Sequence, residues 1–281
     1  MATTIFKDSP ELETAGYAHR QGPRGAQKTA RVRPRASYWS STRRPLPSLV
    51  FVIPLMLAYE IGVIWHTGST PAALRTGADA WMRSALGTLG LTDQWFPPLL
   101  LTVVLLSWQV TSPRDWRFSP SILGGMVIES LILAIALVGV SRLIDVGFSL
   151  LDQHPPRLLA VASSSSSSRA DLGSLIGFLG AGVYEEALFR LALVPLLFGA
   201  LRLLQTPQIL ASALAVTGSA LLFSLAHHAG TPGETFTWFA FVFRWMAGVY
   251  FAWVFVIRGF GVAVGTHTAY DILVGWVGWH L

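Results

Sequence analysis

Leu172–Leu201 reads LGSLIGFLGAGVYEEALFRLALVPLLFGAL. This run exceeds the roughly 20 apolar residues that carry a helix across a bilayer core. Yet Glu185, Glu186 and Arg190 sit in its middle. A charge near the bilayer midplane costs about 2.5–3.5 kcal/mol or more, so intramembrane ionisable residues mark function when a partner can be named. On a helix, Glu186 and Arg190 lie four apart on one face and can pair directly. Glu185 points about 100° away from Glu186. A structural ion pair knitting two helices accounts for Glu186 and Arg190, but it leaves Glu185 unexplained.

The rest of the chain has the same character. Of its 281 residues 52% are hydrophobic and only 12% charged, against about 25% charged in ordinary soluble domains. The composition predicts an all-α polytopic transmembrane helical bundle of about seven to eight spans. Eleven Trp and six Tyr suit the two membrane interfaces. The absence of cysteine excludes disulfides, thiolate nucleophiles and thiolate metal ligation.

Working outward, residues 1–44 hold nine Lys/Arg against three Asp/Glu. They read as a basic, disordered tail held near anionic headgroups on the cytoplasmic side. No nucleic-acid partner is expected, because the tail has no folded reader. Residues 45–151 supply N-terminal transmembrane helices. Their spans are expected at Leu46–Trp65, at about Phe96–Val110, and within Ser121–Leu151, which is long enough to tilt or to contain a break at Gly139. Between the first two, residues 78–91 have mixed polarity and suit the interface. Residues 152–171, with six consecutive serines, read as a flexible loop. Residues 172–281 hold four more spans: Leu172 to about Leu201, Ile209–His227, Thr235–Ile257 and Gly261–Trp279. Arg114, Arg117, Arg202 and Arg258 then share the side of the tail, as the positive-inside rule asks, while Arg157 and Arg169 fall opposite. The expected location is a bacterial plasma membrane with the N-terminus in the cytoplasm.

Two further groups in this C-terminal part carry chemistry. Phe223-Ser-Leu-Ala-His227 closes one apolar run, with His228 next, and His267-Thr-Ala-Tyr-Asp271 lies inside another. His267 and Asp271 share a helical face, and a carboxylate accepting from an imidazole fixes its tautomer. Glu60 and Glu129 are also intramembrane carboxylates, but no partner lies near them in sequence, and they read as helix-packing or hydrogen-bonding groups. Carboxylate plus imidazole in a shielded cavity is what water activation needs, and peptide hydrolysis also needs a donor aimed at the developing oxyanion. The H-E-x-x-H, G-x-S-x-G and G-x-G-D patterns are absent from the chain, which argues against metal, serine and aspartate forms of intramembrane proteolysis.

EEALFR (Glu185–Arg190), FSLAH (Phe223–His227) and HTAYD (His267–Asp271) match, in order, E-E-x-x-x-R, F-x-x-x-H and H-x-x-x-[N/D]. Together they resemble the CPBP family of glutamic-type intramembrane endopeptidases, which includes the Rce1-type CaaX prenyl proteases and the bacterial Abi proteins. The likeness covers about residues 172–279. It implies that Glu185 deprotonates water with His227 as its partner, and that Glu186, Arg190 and Phe223 support the motif. It further implies that His267 and residue 271 stabilise the oxyanion. Position 271 is Asp rather than the commoner Asn, and an ionised Asp cannot donate to an oxyanion, so Asp271 must be protonated or serve to orient His267. The resemblance implies no cofactor and no metal, although the same Glu and His set could ligate zinc. The expected partners are the lipid bilayer and a membrane-associated protein or peptide substrate; oligomeric state is left open. Two other readings stand beside it: a catalytically silent scaffold or immunity protein, and a Glu/His metal- or ion-binding transporter.

Overall fold

The computed structural model describes residues 37–68, 71–112, 116–117, 119–152, 172–229 and 235–276. Residues 1–36 of the expected tail and most of the Ser-rich segment lie outside them. All the regular structure among the described residues is helical. The chain is an all-α integral membrane protein.

The tail ends sooner than its composition suggests, because Tyr38–Ser41 already forms a short helix, α1, capped by the Ser37 side chain. Helix α2 follows at Pro45–Thr67. Pro45 suits a first helical turn, where a missing N–H loses nothing. Gly68, at φ 57°, ends the helix in the left-handed conformation that glycine tolerates best. A 3₁₀ turn (Pro71–Leu74) leads to helix α3, Gly77–Thr88. Helix α4 covers Phe96–Thr111. Its buried Gln109 accepts a hydrogen bond from the Leu46 N–H at 3.2 Å, satisfying one of the orphan donors of the first turn of α2.

Helix α5 runs from Pro120 to Asp152 without a break at Gly139. At 1.5 Å per residue it is about 50 Å long, so it must tilt or project beyond the roughly 30 Å hydrocarbon core.

The segment expected as one span from Leu172 is interrupted. Helix α6 (Leu172–Gly180) passes into two π-helical stretches, Ala181–Glu185 and Ala187–Leu193, before α7 resumes at Val194–Leu203. Pro195 lies just beyond the second wide stretch. It has no N–H, and its ring crowds the carbonyl four residues back, which favours widening of the preceding turns. The remaining helices are α8 (Gln208–Ala226), α9 (Trp238–Arg258) and α10 (Phe260–Asp271), which ends in a π turn at Ile272–Trp276.

Four described helices are long and apolar enough to cross a membrane: Pro45–Thr67, Pro120–Leu151, Gln208–Ala226 and Trp238–Arg258. Phe96–Thr111 is apolar but shorter. The other two expected spans are broken by the wide turns. Side chains such as Ile128, Ile132, Ile135, Leu210, Leu214 and Leu222 are exposed, which in a bilayer means exposure to lipid.

Helices from both sides of the Ser-rich segment form one unit. α10 packs on α5 and α2, α2 on α6, and α9 on α8. Every residue of α10 from Phe260 to Thr268 is buried. Glu129 has the partner that its sequence neighbourhood lacks: Arg258 holds it with a two-pronged fork, Nε to one oxygen and Nη2 to the other, the latter at 2.8 Å. Tyr38 donates to the same carboxylate at 2.6 Å. Burial first, and then that hydrogen bond, holds the Tyr38 hydroxyl well above its ordinary range. The Arg258 guanidinium lies 3.9 Å from the centre of the Trp39 ring, a cation–π contact that ties α1 to the end of α9.

Candidate active site

The π stretches determine where the charged side chains of Leu172–Leu201 point. In a π turn the N–H reaches back five residues rather than four, and such turns recur at functional sites. Glu185 ends the first wide stretch, Glu186 sits between the two, and Arg190 lies in the second. The Ser219 hydroxyl of α8 donates to the Phe189 carbonyl at 2.6 Å, giving that widened backbone a partner across the bundle. Gly182 allows α10 to approach, since a Cβ there would overlap the Thr268 side chain.

Glu185 Oε2 lies 3.8 Å from His227 Nε2 and 3.8 Å from His267 Nε2. Both distances exceed hydrogen-bond reach, and Oε2 has no hydrogen-bond partner among the described residues. Glu186 is turned the other way. One of its oxygens meets Arg190 Nη1 at 3.2 Å and accepts from His267 Nδ1 at 2.8 Å. Arg190 also donates to the Gly248 carbonyl of α9 at 3.3 Å, and its guanidinium stands 4.4 Å from the centre of the Phe223 ring.

The two histidines are held differently. His227, at the C-terminal end of α8, has Nδ1 2.9 Å from the Phe223 carbonyl. A carbonyl only accepts, so Nδ1 carries a proton, and Nε2 faces Glu185, as an acceptor when the ring is neutral. His267 is clamped between the Glu186 carboxylate and the Phe251 ring, which stacks on it at 4.4 Å and 12°. Asp271 Oδ2 stands 3.6 Å from His267 Nε2, beyond a direct hydrogen bond. Glu186 thus holds His267 by a direct hydrogen bond, while Asp271 faces the other ring nitrogen at ion-pair distance. Glu186, expected to be satisfied within its own helix, is also a tertiary partner. Phe223 contributes its ring to Arg190 and its carbonyl to His227. His228 packs instead against Phe236, with ring centroids 5.1 Å apart.

Glu186 and Arg190 are sealed in, whereas the side chains of Glu185, His227 and Asp271 keep 12%, 24% and 22% of their surface. Of these three, Glu185 stands beside both imidazoles and Asp271 beside that of His267. Among the described residues, no group of three or more His, Asp or Glu side chains is placed to hold a metal ion.

Residues 170–273 match a family model described as Rce1-like, Type II CAAX prenyl endopeptidase Rce1-like. This segment is an Rce1-like domain. No curated protein and no solved structure matches the chain. The Rce1-like domain contains all three sequence motifs, from Glu185 to Asp271, and the fold brings their side chains together.

Sequence reasoning missed the supports of the Rce1-like domain: Ser219, Gly248, Phe251 and Thr268 within it, and Arg75, Asp79 and Arg83 outside it; Glu60 was legible as an intramembrane carboxylate, but its partners were not. The spacing of Arg75, Asp79 and Arg83, four apart, was a readable signal for a charged helix face. Nothing local connects that face to Glu60.

Proposed function

We propose that this protein is an intramembrane endopeptidase that hydrolyses a peptide bond of a membrane-associated protein or peptide with water activated by Glu185 and His227. The observation that carries the reading is the placement of Glu185 Oε2 at 3.8 Å from both imidazole Nε2 atoms. Two acceptors, the Glu185 carboxylate and His227 Nε2, face each other at a separation that a donor molecule bridging them would suit. A water there donates to both. As it adds to a carbonyl carbon, Glu185 takes its proton, and the new oxygen–carbon bond pushes charge onto the carbonyl oxygen. His267 can donate from Nε2 only as the imidazolium, since Nδ1–H is engaged by Glu186. Three carboxylates (Glu185, Glu186 and Asp271) surround that ring. The imidazolium then stabilises the oxyanion. Collapse of the tetrahedral intermediate breaks the C–N bond, and the proton held by Glu185 passes to the leaving amine.

This reaction needs no metal or other cofactor. We further propose that the basic N-terminal segment lies on the cytoplasmic side, by the positive-inside rule. The test uses purified full-length protein in lipid nanodiscs and quenched-fluorescence peptides, one set farnesylated at a C-terminal CAAX cysteine and one set unprenylated and apolar. The native chain should cleave members of at least one set, and Glu185→Gln should cleave none. If the native chain cleaves nothing, and membrane peptidomes of cells with the native and Glu185→Gln chains are identical, the protease reading falls. Activity should survive a strong chelator. Inhibition reversed by added zinc would overturn the metal-free mechanism.

A further inference from the structure

A second buried polar cluster lies directly behind the candidate catalytic glutamate. Glu60, fully buried on α2, accepts from Arg83 Nη2 with both oxygens, at 2.9 and 3.2 Å, and from Arg75 Nη1 at 3.2 Å. Asp79, also fully buried, accepts from Arg75 Nη1 and from the Tyr59 hydroxyl, at 2.7 and 2.8 Å, and pairs with Arg83 Nε at 2.7 Å. Two carboxylates thus face two guanidiniums, so the cluster is neutral as a whole. One member comes from elsewhere. The Tyr184 hydroxyl donates to Glu60, and Tyr184 is the residue immediately before Glu185.

We propose that Tyr184 is a positioning residue, and that its bond to the Glu60–Arg75–Asp79–Arg83 cluster locks the wide turn Ala181–Glu185 in the register that aims Glu185 at His227 and His267. The inference rests on the reading of Glu185 as the water-activating base. Consecutive residues on a helix point about 100° apart. With Tyr184 fixed toward α2 and α3, Glu185 is fixed toward α8 and α10. A π turn holds one residue more than an α turn, and an isolated helix prefers the α form. Relaxation to α register would rotate Glu185 relative to the flanking helix by about the same 100°, carrying it off both imidazoles. Something outside the helix must therefore hold the wide form. α3 packs against the Ala181–Glu185 turn, and Gly180 lets the Tyr59 ring lie on the helix just before it, since a Cβ there would overlap that ring. Buried ion pairs add little stability compared with apolar packing of the same volume, so specifying one register is a better account of this cluster than strength.

The chain has no cysteine, so the geometry can be read without an activity assay. The paired variant Glu185→Cys/His227→Cys, in the full chain in detergent, is treated with dibromobimane, which fluoresces when it bridges two thiols. With Tyr184 present, bridging is expected. Adding Tyr184→Phe should lower its yield about tenfold, the scale of one hydrogen bond to a charged acceptor. Leu105→Ala, at a fully buried apolar position of α4, serves as the control for general loosening and should leave bridging intact. In the chain with Glu185 and His227 restored, Tyr184→Phe should lower kcat and spare KM. Equal bridging with and without the Tyr184 hydroxyl, equal loss in the Leu105→Ala control, or no bridging with Tyr184 in place each overturns the proposal. Bridging that depends on Tyr184 in a chain that cleaves no peptide would uphold the register lock and reject the protease reading instead.

Discussion

The adjacent glutamates differ at the scale of single atoms. Glu185 has an unpartnered oxygen between two imidazoles, while Glu186 is bonded to His267 and paired with Arg190. Glu185→Gln keeps the volume but removes the base. It should lower turnover about 10²–10⁴-fold, the range for losing general-base catalysis, with little change in thermal unfolding. Arg190→Ala should behave differently, because it takes the guanidinium partner from the fully buried Glu186. Breaking one side of such a pair costs about 3–5 kcal/mol, so a clear drop in melting temperature in detergent should accompany the loss of activity. Equal melting temperatures for the two variants would show that the glutamates do not divide their roles in this way. The geometry also ranks His267 above Asp271. His267→Ala should abolish turnover, whereas Asp271→Asn should keep it within about tenfold, since Glu186 and Phe251 hold the imidazole.

Between elements, the site depends on close approach of the wide turn to α10. Gly182 meets Thr268 with no room for a Cβ. Gly182→Ala should destabilise the protein by about 1–3 kcal/mol, the usual scale of overpacking, and displace Glu185 from the histidines. Thr268→Ala removes the atoms that collide. The double variant should therefore recover part of both losses, a non-additivity expected of residues in contact. Thermal unfolding and peptide cleavage of the two single variants and the double variant test this; strict additivity would place the effect of Gly182 elsewhere. The wide turn itself was hidden from helical periodicity, which assumes one angular step throughout. Pro195 and the closely spaced Gly180 and Gly182 were the local hints.

Across the whole molecule, buried ion clusters tie the N-terminal helices to the Rce1-like domain. Glu129 on α5 joins Arg258 at the end of α9 and Tyr38 on α1. Glu129→Ala strands a buried guanidinium and should cost about 3–5 kcal/mol, whereas replacing the pair together, as Glu129→Leu/Arg258→Met, should restore most of that loss. Chemical or thermal unfolding in detergent measures both. Failure of the paired replacement to restore stability would mean that Arg258 matters chiefly through its stacking on Trp39.

Apolar run length alone located the four described helices long enough to cross a membrane, because bilayer thickness imposes that length on any sequence that spans. The Glu186–Arg190 pair was equally legible, since four residues bring two side chains to one face of any helix. The meeting of Glu185 with His227 and His267 was legible only as three motifs on three separate helices, which the resemblance joined and local physics could not. The orientation of His267 by Glu186 and the anchoring of Tyr184 by Glu60 had no signal in the chain. Those contacts span 81 and 124 residues. They exist only because α2, the widened turn and α10 pack against one another, and packing between distant helices, unlike helical periodicity, leaves no pattern along the sequence.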